Sequence, residues 1–162
     1  MASTRISSAL PRALHSVPFI ELRQSFASQI AVISPFVDQL MHFIAKFRKP
    51  GGSEAGIEIA VREALANAIT HGNHEDPIKR VHVACRCHSD GEVMITVRDE
   101  GNGFDSDAIP DPAMRENLLS THGRGIFLMR TFMDEVRFEE GGTVVHVRKN
   151  SNAEAPAQRG TE

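Results

Sequence analysis

Residues 62–73 read REALANAITHGN, and this stretch determines how the rest of the chain is interpreted. Glu63 and Asn67 are four residues apart, so on a helix they share one face. Ala60, Ala64 and Ala68 recur at the same spacing and leave room for another group to approach the helix backbone. Such spacing is also common on solvated helix faces, so the pair requires support from elsewhere in the sequence.

A second polar cluster, residues 97–104, reads VRDEGNGF. The apolar alternation over residues 93–97 predicts a strand and places Asp99 on its inward face. An inward carboxylate at a strand end has two explanations. It caps the turn that contains Gly101 and Gly103, or it accepts a hydrogen bond from a ligand, such as the amine of adenine.

A third cluster, residues 123–130, reads GRGIFLMR. Gly123, Arg124 and Gly125 are predicted to lead into a helix over residues 126–132, where backbone N–H groups and the helix dipole attract phosphate oxygens. The long segment before them, residues 104–122, is predicted to form a hinged lid over a bound ligand. The three clusters together predict one composite nucleotide site.

Composition indicates one globular domain. The chain has 162 residues, 41% of them hydrophobic, which is enough for a sizeable core. Its net charge of -3, with charges of both signs interspersed, gives no basic stripe for a phosphate backbone, so a protein or small-molecule partner is favoured over nucleic acid. We expect a flexible leader over residues 1–17, a globular domain over 18–149 and a disordered tail over 150–162.

Two cysteines, Cys85 and Cys87, lie two apart in a predicted strand and share a face. They are interpreted as core residues, because His88 alone does not complete a zinc site. No apolar run is expected to reach the length of a membrane span, and the prediction is a cytoplasmic protein.

Periodicity predicts an α/β (α+β) two-layer sandwich, with helices on one face of a mixed, mainly antiparallel sheet. A first strand is predicted over residues 19–26. Ser34 is predicted to cap a helix that ends at Phe47, and Ser53 to cap a second helix that ends near Thr70. Two hairpins follow, over residues 78–97 and 136–147.

Taken in order, the clusters at 62–73, 97–104 and 123–130 resemble the N, G1 and G2 boxes of the GHKL, or histidine-kinase-like, ATPases. Within that superfamily, residues 116–136, ENLLSTHGRGIFLMRTFMDEV, are most similar to the anti-sigma factor serine-protein kinases. This resemblance implies a serine/threonine-protein kinase that uses ATP and Mg2+. It also implies a homodimer that binds a sigma factor and phosphorylates an anti-sigma factor antagonist.

The resemblance also implies residue roles. Glu63 corresponds to the general base, Asn67 to the Mg2+ ligand and Asp99 to the aspartate that recognises adenine. The other matched positions are lid hinges, phosphate contacts and pocket residues, namely Gly101, Gly103, Gly123, Gly125 and Thr143. His71 and Arg124 lie beside these motifs as further nucleotide-binding candidates, although Arg124 is equally consistent with a solvated or lid-pairing arginine.

Two other interpretations remain open from the sequence. The first is a nucleotide-gated protein-binding regulator without significant kinase activity, and the second is a scaffold of the same fold that binds no nucleotide. Histidine autokinases are disfavoured because no dimerisation hairpin is predicted, and topoisomerase and chaperone relatives require further domains. The G-x-x-x-x-G-K-[ST] motif and the H-R-D kinase motif do not occur in the sequence.

Overall fold

The computed structural model describes residues 17–103 and 121–151. Its five strands are β1 (Phe19–Ala27), β2 (Arg80–His88), β3 (Val93–Arg98), β4 (Glu135–Glu139) and β5 (Val144–Lys149). Its three α-helices are α1 (Ile33–Phe47), α2 (Glu54–Ala66) and α3 (Thr121–Phe132), and α2 continues as a π-helical turn over Asn67–Gly72.

The strands form one sheet in the order β1-β2-β3-β5-β4, and every ladder among the described residues is antiparallel. Cys85 pairs with Leu22 on one side and with Ile95 on the other, which aligns the inward positions of the central strands. The helices pack on one face of this sheet and enclose the core. The predicted two-layer α+β architecture is confirmed, with a sheet that is antiparallel throughout its described pairs.

Period-two burial on β2 and β3 agrees with the predicted hairpin. The inward side chains are all buried and belong to the core, namely Val81, Val83, Cys85, Cys87, Val93, Ile95 and Val97. Both cysteines are free thiols within that core, as predicted. The sheet therefore presents a continuous apolar surface to the helices, and Asp99 follows directly on its inward face.

Helix α1 buries one apolar stripe against the sheet, formed by Ile33, Phe36, Val37, Leu40 and Ile44. With the turn before it, α1 forms a stretch, Ile30–Phe47, that is long and apolar enough to cross a membrane, contrary to the prediction from sequence. The opposite side of α1 exposes Asp38, Gln39, His42 and Lys46. This division between an apolar and a polar face is typical of a helix that packs on a globular core.

The predicted serine caps are only partly correct. Ser34 lies inside α1, whose N-cap is Val32, and its hydroxyl accepts a hydrogen bond from Arg62 (3.1 Å). Ser53 is the N-cap residue of α2, as predicted, but its side chain makes no capping hydrogen bond. Its hydroxyl instead accepts from the guanidinium of Arg48 (3.0 Å).

Arg48 connects three parts of the chain from a buried position at the end of α1. Its guanidinium donates to Ser53 at the start of α2, to the carbonyl of Gly91 in the β2–β3 turn, and to the carbonyl of Asn150 after β5 (2.7 Å). Burial lowers the pKa of Arg48. These charge-assisted hydrogen bonds stabilise the end of the molecule opposite the β3 terminus.

Several predictions lie outside the described residues. They are the leader up to residue 16, most of the lid, its short helix near residues 114–119, and the tail after residue 151. The predicted domain limits therefore stay predictions.

Replacement of Leu40 by alanine tests the packing of α1. Leu40 is completely buried, so Leu40→Ala should lower the free energy of unfolding by about 2–5 kcal/mol through lost apolar contacts and a new cavity. Ile78→Ala is the matched control because Ile78 is 88% exposed, and it should change stability by about 0.5 kcal/mol or less. Urea unfolding followed by circular dichroism measures both. A loss of less than about 1 kcal/mol for Leu40→Ala would contradict this packing, because the smallest loss expected is about 2 kcal/mol.

Candidate functional site

A cavity of about 290 Å³ opens between the end of α2 and the sheet. Five predicted site residues line it, namely Asn67, His71, Asp99, Gly103 and Thr143. The remaining walls are apolar or small, and consist of Ala64, Ala68, Gly72, Val97, Met129, Phe138, Gly142 and Val145. A mostly apolar cavity with a few convergent polar groups is the usual form of a small-molecule site.

Asp99 provides the carboxylate of this cavity. Its backbone N–H donates to the carbonyl of Thr143 (3.0 Å), and its Oδ1 accepts from the N–H of Gly101 (2.8 Å). Burial raises the pKa of Asp99, and the hydrogen bond from Gly101 offsets part of that rise. The carboxylate thus caps its turn, as one interpretation of the sequence has it, and it also lines the cavity, while its hydrogen bond to a ligand stays a prediction.

Glycines allow the end of α2 to lie directly against the end of β3. A Cβ on Gly72 would collide with the Asp99 carboxylate, and a Cβ on Gly101 would collide with the carbonyl of Gly72. Any larger residue at either position would therefore displace the carboxylate or separate the two chain segments.

Glu63 and Asn67 meet α3 at Gly125. A Cβ on Gly125 would lie 2.7 Å from Glu63 Oε2 and 3.4 Å from Asn67 Nδ2. The two side chains that the sequence places on one helix face therefore converge on the same point of the neighbouring helix. Asn67 Nδ2 is buried and has no hydrogen-bond partner among the described residues, which is unusual for a buried amide.

The far wall of the cavity is formed by the turn between β4 and β5. Gly103 has a φ of +76° and lies so close to the carbonyl of Gly141 that a Cβ there would collide with it. The Thr143 hydroxyl donates to the carbonyl of Glu140 (3.0 Å), which fixes the turn beside the cavity. Gly103 and Thr143 are thus brought together with Asp99.

Five predicted residues do not line the cavity, namely Glu63, Gly101, Gly123, Arg124 and Gly125. Gly125 is buried against Glu63, Arg124 is exposed, and Gly123 is half-buried outside the set of lining residues. The expected helix start at residue 126 is wrong, because α3 begins at Thr121 and includes Gly123, Arg124 and Gly125.

Sequence reasoning missed the apolar walls of the cavity. Met129 follows Gly125 by one helical turn, so helical periodicity could have identified it. Val145 lies inside β5, where an apolar side chain is equally consistent with the core. Phe138 gave no signal, because an inward phenylalanine on a strand is equally consistent with the core.

Comparison with known proteins assigns the class. Residues 26–149 match the histidine kinase-like ATPase domain, so the chain belongs to that family. The predicted fold and the use of ATP as ligand are thereby confirmed. Among the described residues, no group of three or more histidine, cysteine or acidic side chains could hold a metal ion.

Individual relatives indicate which members of the histidine kinase-like ATPase family this chain is similar to. The chain is 33% identical over 133 residues to the anti-sigma F factor of Heyndrickxia coagulans, with 79% of this chain and 81% of that protein covered. It is 35% identical over 105 residues to the serine-protein kinase RsbW of Bacillus subtilis, with 60% and 65% covered. The predicted resemblance to the anti-sigma factor serine-protein kinases is confirmed.

One solved structure shares the fold at low sequence identity. It is the blue-light activated histidine kinase of Erythrobacter litoralis EL346, with a TM-score of 0.51 and 19% identity. The match covers 76% of this chain but only 42% of that one, so it supports the domain architecture and nothing further.

The raised pKa of Asp99 predicts how stability depends on pH. The folded state holds the Asp99 proton more tightly than the unfolded state, so this group's stabilising contribution is present at low pH and is lost as pH rises through the raised pKa. Asp99→Asn removes the ionisation and keeps an oxygen for the Gly101 N–H. We therefore expect it to raise the melting temperature of the nucleotide-free protein at about pH 8, with the gain vanishing near pH 3.5.

Thermal unfolding followed by circular dichroism at both pH values measures this difference. The matched control is Asp38→Asn, at an exposed carboxylate on α1, for which we expect a change within about 0.5 kcal/mol. If Asp99→Asn gives no stabilisation at high pH, or a larger one at low pH, the raised pKa of Asp99 is refuted.

Proposed function

We propose that this protein is an anti-sigma factor that binds a sigma factor and phosphorylates a serine or threonine of an anti-sigma factor antagonist, using Mg-ATP. The observation that carries this proposal is the convergence of Glu63 and Asn67 on Gly125, at the edge of a cavity that contains the Asp99 carboxylate. Relatives named anti-sigma F factor and serine-protein kinase support both halves of the proposal.

The cavity suits an adenine ring. Its apolar walls, including Val97, Met129 and Val145, match the ring faces, and the carboxylate of Asp99 accepts a hydrogen bond from the exocyclic amine. Guanine presents a carbonyl at the same position, which would leave Asp99 repelled and unpaired. The site should therefore select ATP over GTP.

Asn67 suits a single-ligand role at a magnesium ion. Mg2+ keeps several waters and takes few protein ligands when phosphates supply the rest of its coordination, so the lack of an acidic cluster among the described residues is compatible with it. The Nδ2 of Asn67 has no hydrogen-bond partner among the described residues. The oxygen of the same amide is the proposed Mg2+ ligand when nucleotide is bound. When bound, the ion would neutralise developing charge on the phosphates.

Glu63 is the proposed general base. Its carboxylate would accept the proton of the acceptor hydroxyl as that oxygen attacks the γ-phosphorus. The bond from the γ-phosphorus to the bridging oxygen breaks, and ADP leaves with the electron pair. The approach of both Glu63 and Asn67 to Gly125 supports this role, because the proposed base and the proposed Mg2+ ligand then lie close together.

His71, Gly103 and Thr143 are proposed as nucleotide contacts because they line the cavity, and Gly101 as a hinge because it packs on Gly72. Gly123 and Arg124 are proposed as contacts of the triphosphate from their motif alone. A homodimer and a cytoplasmic location complete the proposal, and both rest on the same family resemblance.

Two substitutions on α2 should have different effects. Glu63→Gln should lower phosphoryl transfer by about 10²-fold or more while ATP affinity changes little, because it removes the base and keeps the shape. Asn67→Ala should weaken Mg-ATP binding by about tenfold or more, the equivalent of 1.4 kcal/mol. Transfer from radiolabelled ATP to the cognate antagonist and titration calorimetry with ATP provide the measurements.

Glu58→Gln is the matched control. Glu58 also lies on α2 and pairs with Arg62 on the surface (2.9 Å), so this change should leave transfer and affinity intact. An antagonist with alanine at its acceptor hydroxyl should take up no label. If the wild type binds ATP but transfers no phosphoryl group, the protein is a nucleotide-gated binding regulator and not a kinase. If it binds no ATP, the whole proposal is overturned.

A further inference from the structure

Asn73 is a completely buried polar side chain directly after the π-helical turn. Its Nδ2 donates to the carbonyl of Arg80 at the start of β2 (2.9 Å), and its Oδ1 accepts from the backbone N–H of Glu100 after β3 (2.8 Å). Both halves of the amide are therefore satisfied by backbone groups from two different strands. Its own N–H donates to the carbonyl of Ala68, which ties it to the turn.

The hydrogen bond from the Glu100 N–H to Asn73 fixes the peptide group that follows Asp99. The N–H of Asp99 is held by the carbonyl of Thr143, and the next N–H along the chain, that of Glu100, is held by Asn73. The two peptide groups that flank the Asp99 α-carbon are thus anchored to opposite neighbours. Gly72, the residue before Asn73, packs against the Asp99 carboxylate itself.

We propose that Asn73 is a positioning residue that sets the base selectivity of the nucleotide site by fixing Asp99. The inference rests on the proposed function, because it assumes that Asp99 recognises adenine. Asn73 does not line the cavity, so it acts through Asp99 and through the placement of Gly72 rather than by contact with nucleotide.

An asparagine is required at this position for a chemical reason. The two partners are a carbonyl and an N–H group, and a primary amide is a short side chain that can donate to one while it accepts from the other. Aspartate would direct an oxygen at the Arg80 carbonyl, and alanine would leave both backbone groups without their partner. Either change frees the peptide after Asp99 to rotate.

The fold should survive the loss of Asn73. The Glu100 carboxylate accepts from the Arg80 N–H (2.9 Å) and lies 2.9 Å from His82 Nε2. The start of β2 and the end of β3 therefore remain linked at the surface. The expected damage is therefore local to the Asp99 peptide.

Calorimetric titrations with ADP and with GDP, both with Mg2+, test the inference on the full chain. Asn73→Ala should weaken ADP binding about tenfold and GDP binding much less, so the ratio of the two affinities falls. In an Asp99→Ala background, Asn73→Ala should change ADP affinity less than about twofold, because residues that act through one another are not additive. If Asn73→Ala does not fold, Asn73→Ser is measured in the same two backgrounds.

Leu40→Ala serves as the control for general destabilisation and should leave the ADP to GDP ratio unchanged. An unchanged ratio in Asn73→Ala, an equal loss of ADP affinity in both backgrounds, or an equal fall of the ratio in Leu40→Ala would each overturn the positioning role. A wild-type protein that does not prefer ADP to GDP would instead refute the proposed function, which separates the two failures.

Discussion

The site depends on the close approach between the end of the α2 extension and the end of β3. The Asp99 carboxylate packs on the α-carbon of Gly72, and Gly101 packs on the Gly72 carbonyl, at distances that exclude any side chain. A partly buried carboxylate is costly, and the hydrogen bond from the Gly101 N–H offsets only part of that cost. Because the same turn carries Asn67, this contact also determines where the amide lies relative to the carboxylate.

Much of the fold was predictable because its periodicities are strong. Alternation over β2 and β3 specified which side chains point inward, and it placed Asp99 on the cavity side without any knowledge of the helices. Helical spacing put Glu63 and Asn67 on one face. The convergence of Asn67, Asp99 and Gly103 was beyond periodicity, since it depends on strand order. It was predicted because three polar clusters in apolar surroundings need partners, and the family resemblance added Thr143.

The errors also have physical causes. Ser34 resembles a cap in sequence, but the apolar residues before it are compatible with helix, so α1 starts earlier and the hydroxyl pairs with Arg62 instead. The start of α3 was misplaced because Gly123 and Gly125 were interpreted as lid hinges and phosphate contacts before the helix, whereas Gly125 lies inside it and allows close packing against Glu63. The contacts of Asn73 gave no signal in the sequence, since they depend on how the backbone groups of Arg80 and Glu100 meet at the ends of two paired strands.

Arg48 shows that similarity between sequences does not determine where a folded unit can be cut. The family match ends at residue 149, whereas the buried guanidinium donates to the carbonyl of residue 150. A fragment excised at the aligned boundary would leave a desolvated cation one acceptor short, at a point where three chain segments meet. We therefore expect the smallest unit that folds on its own to extend past the end of the family match, to residue 150 at least.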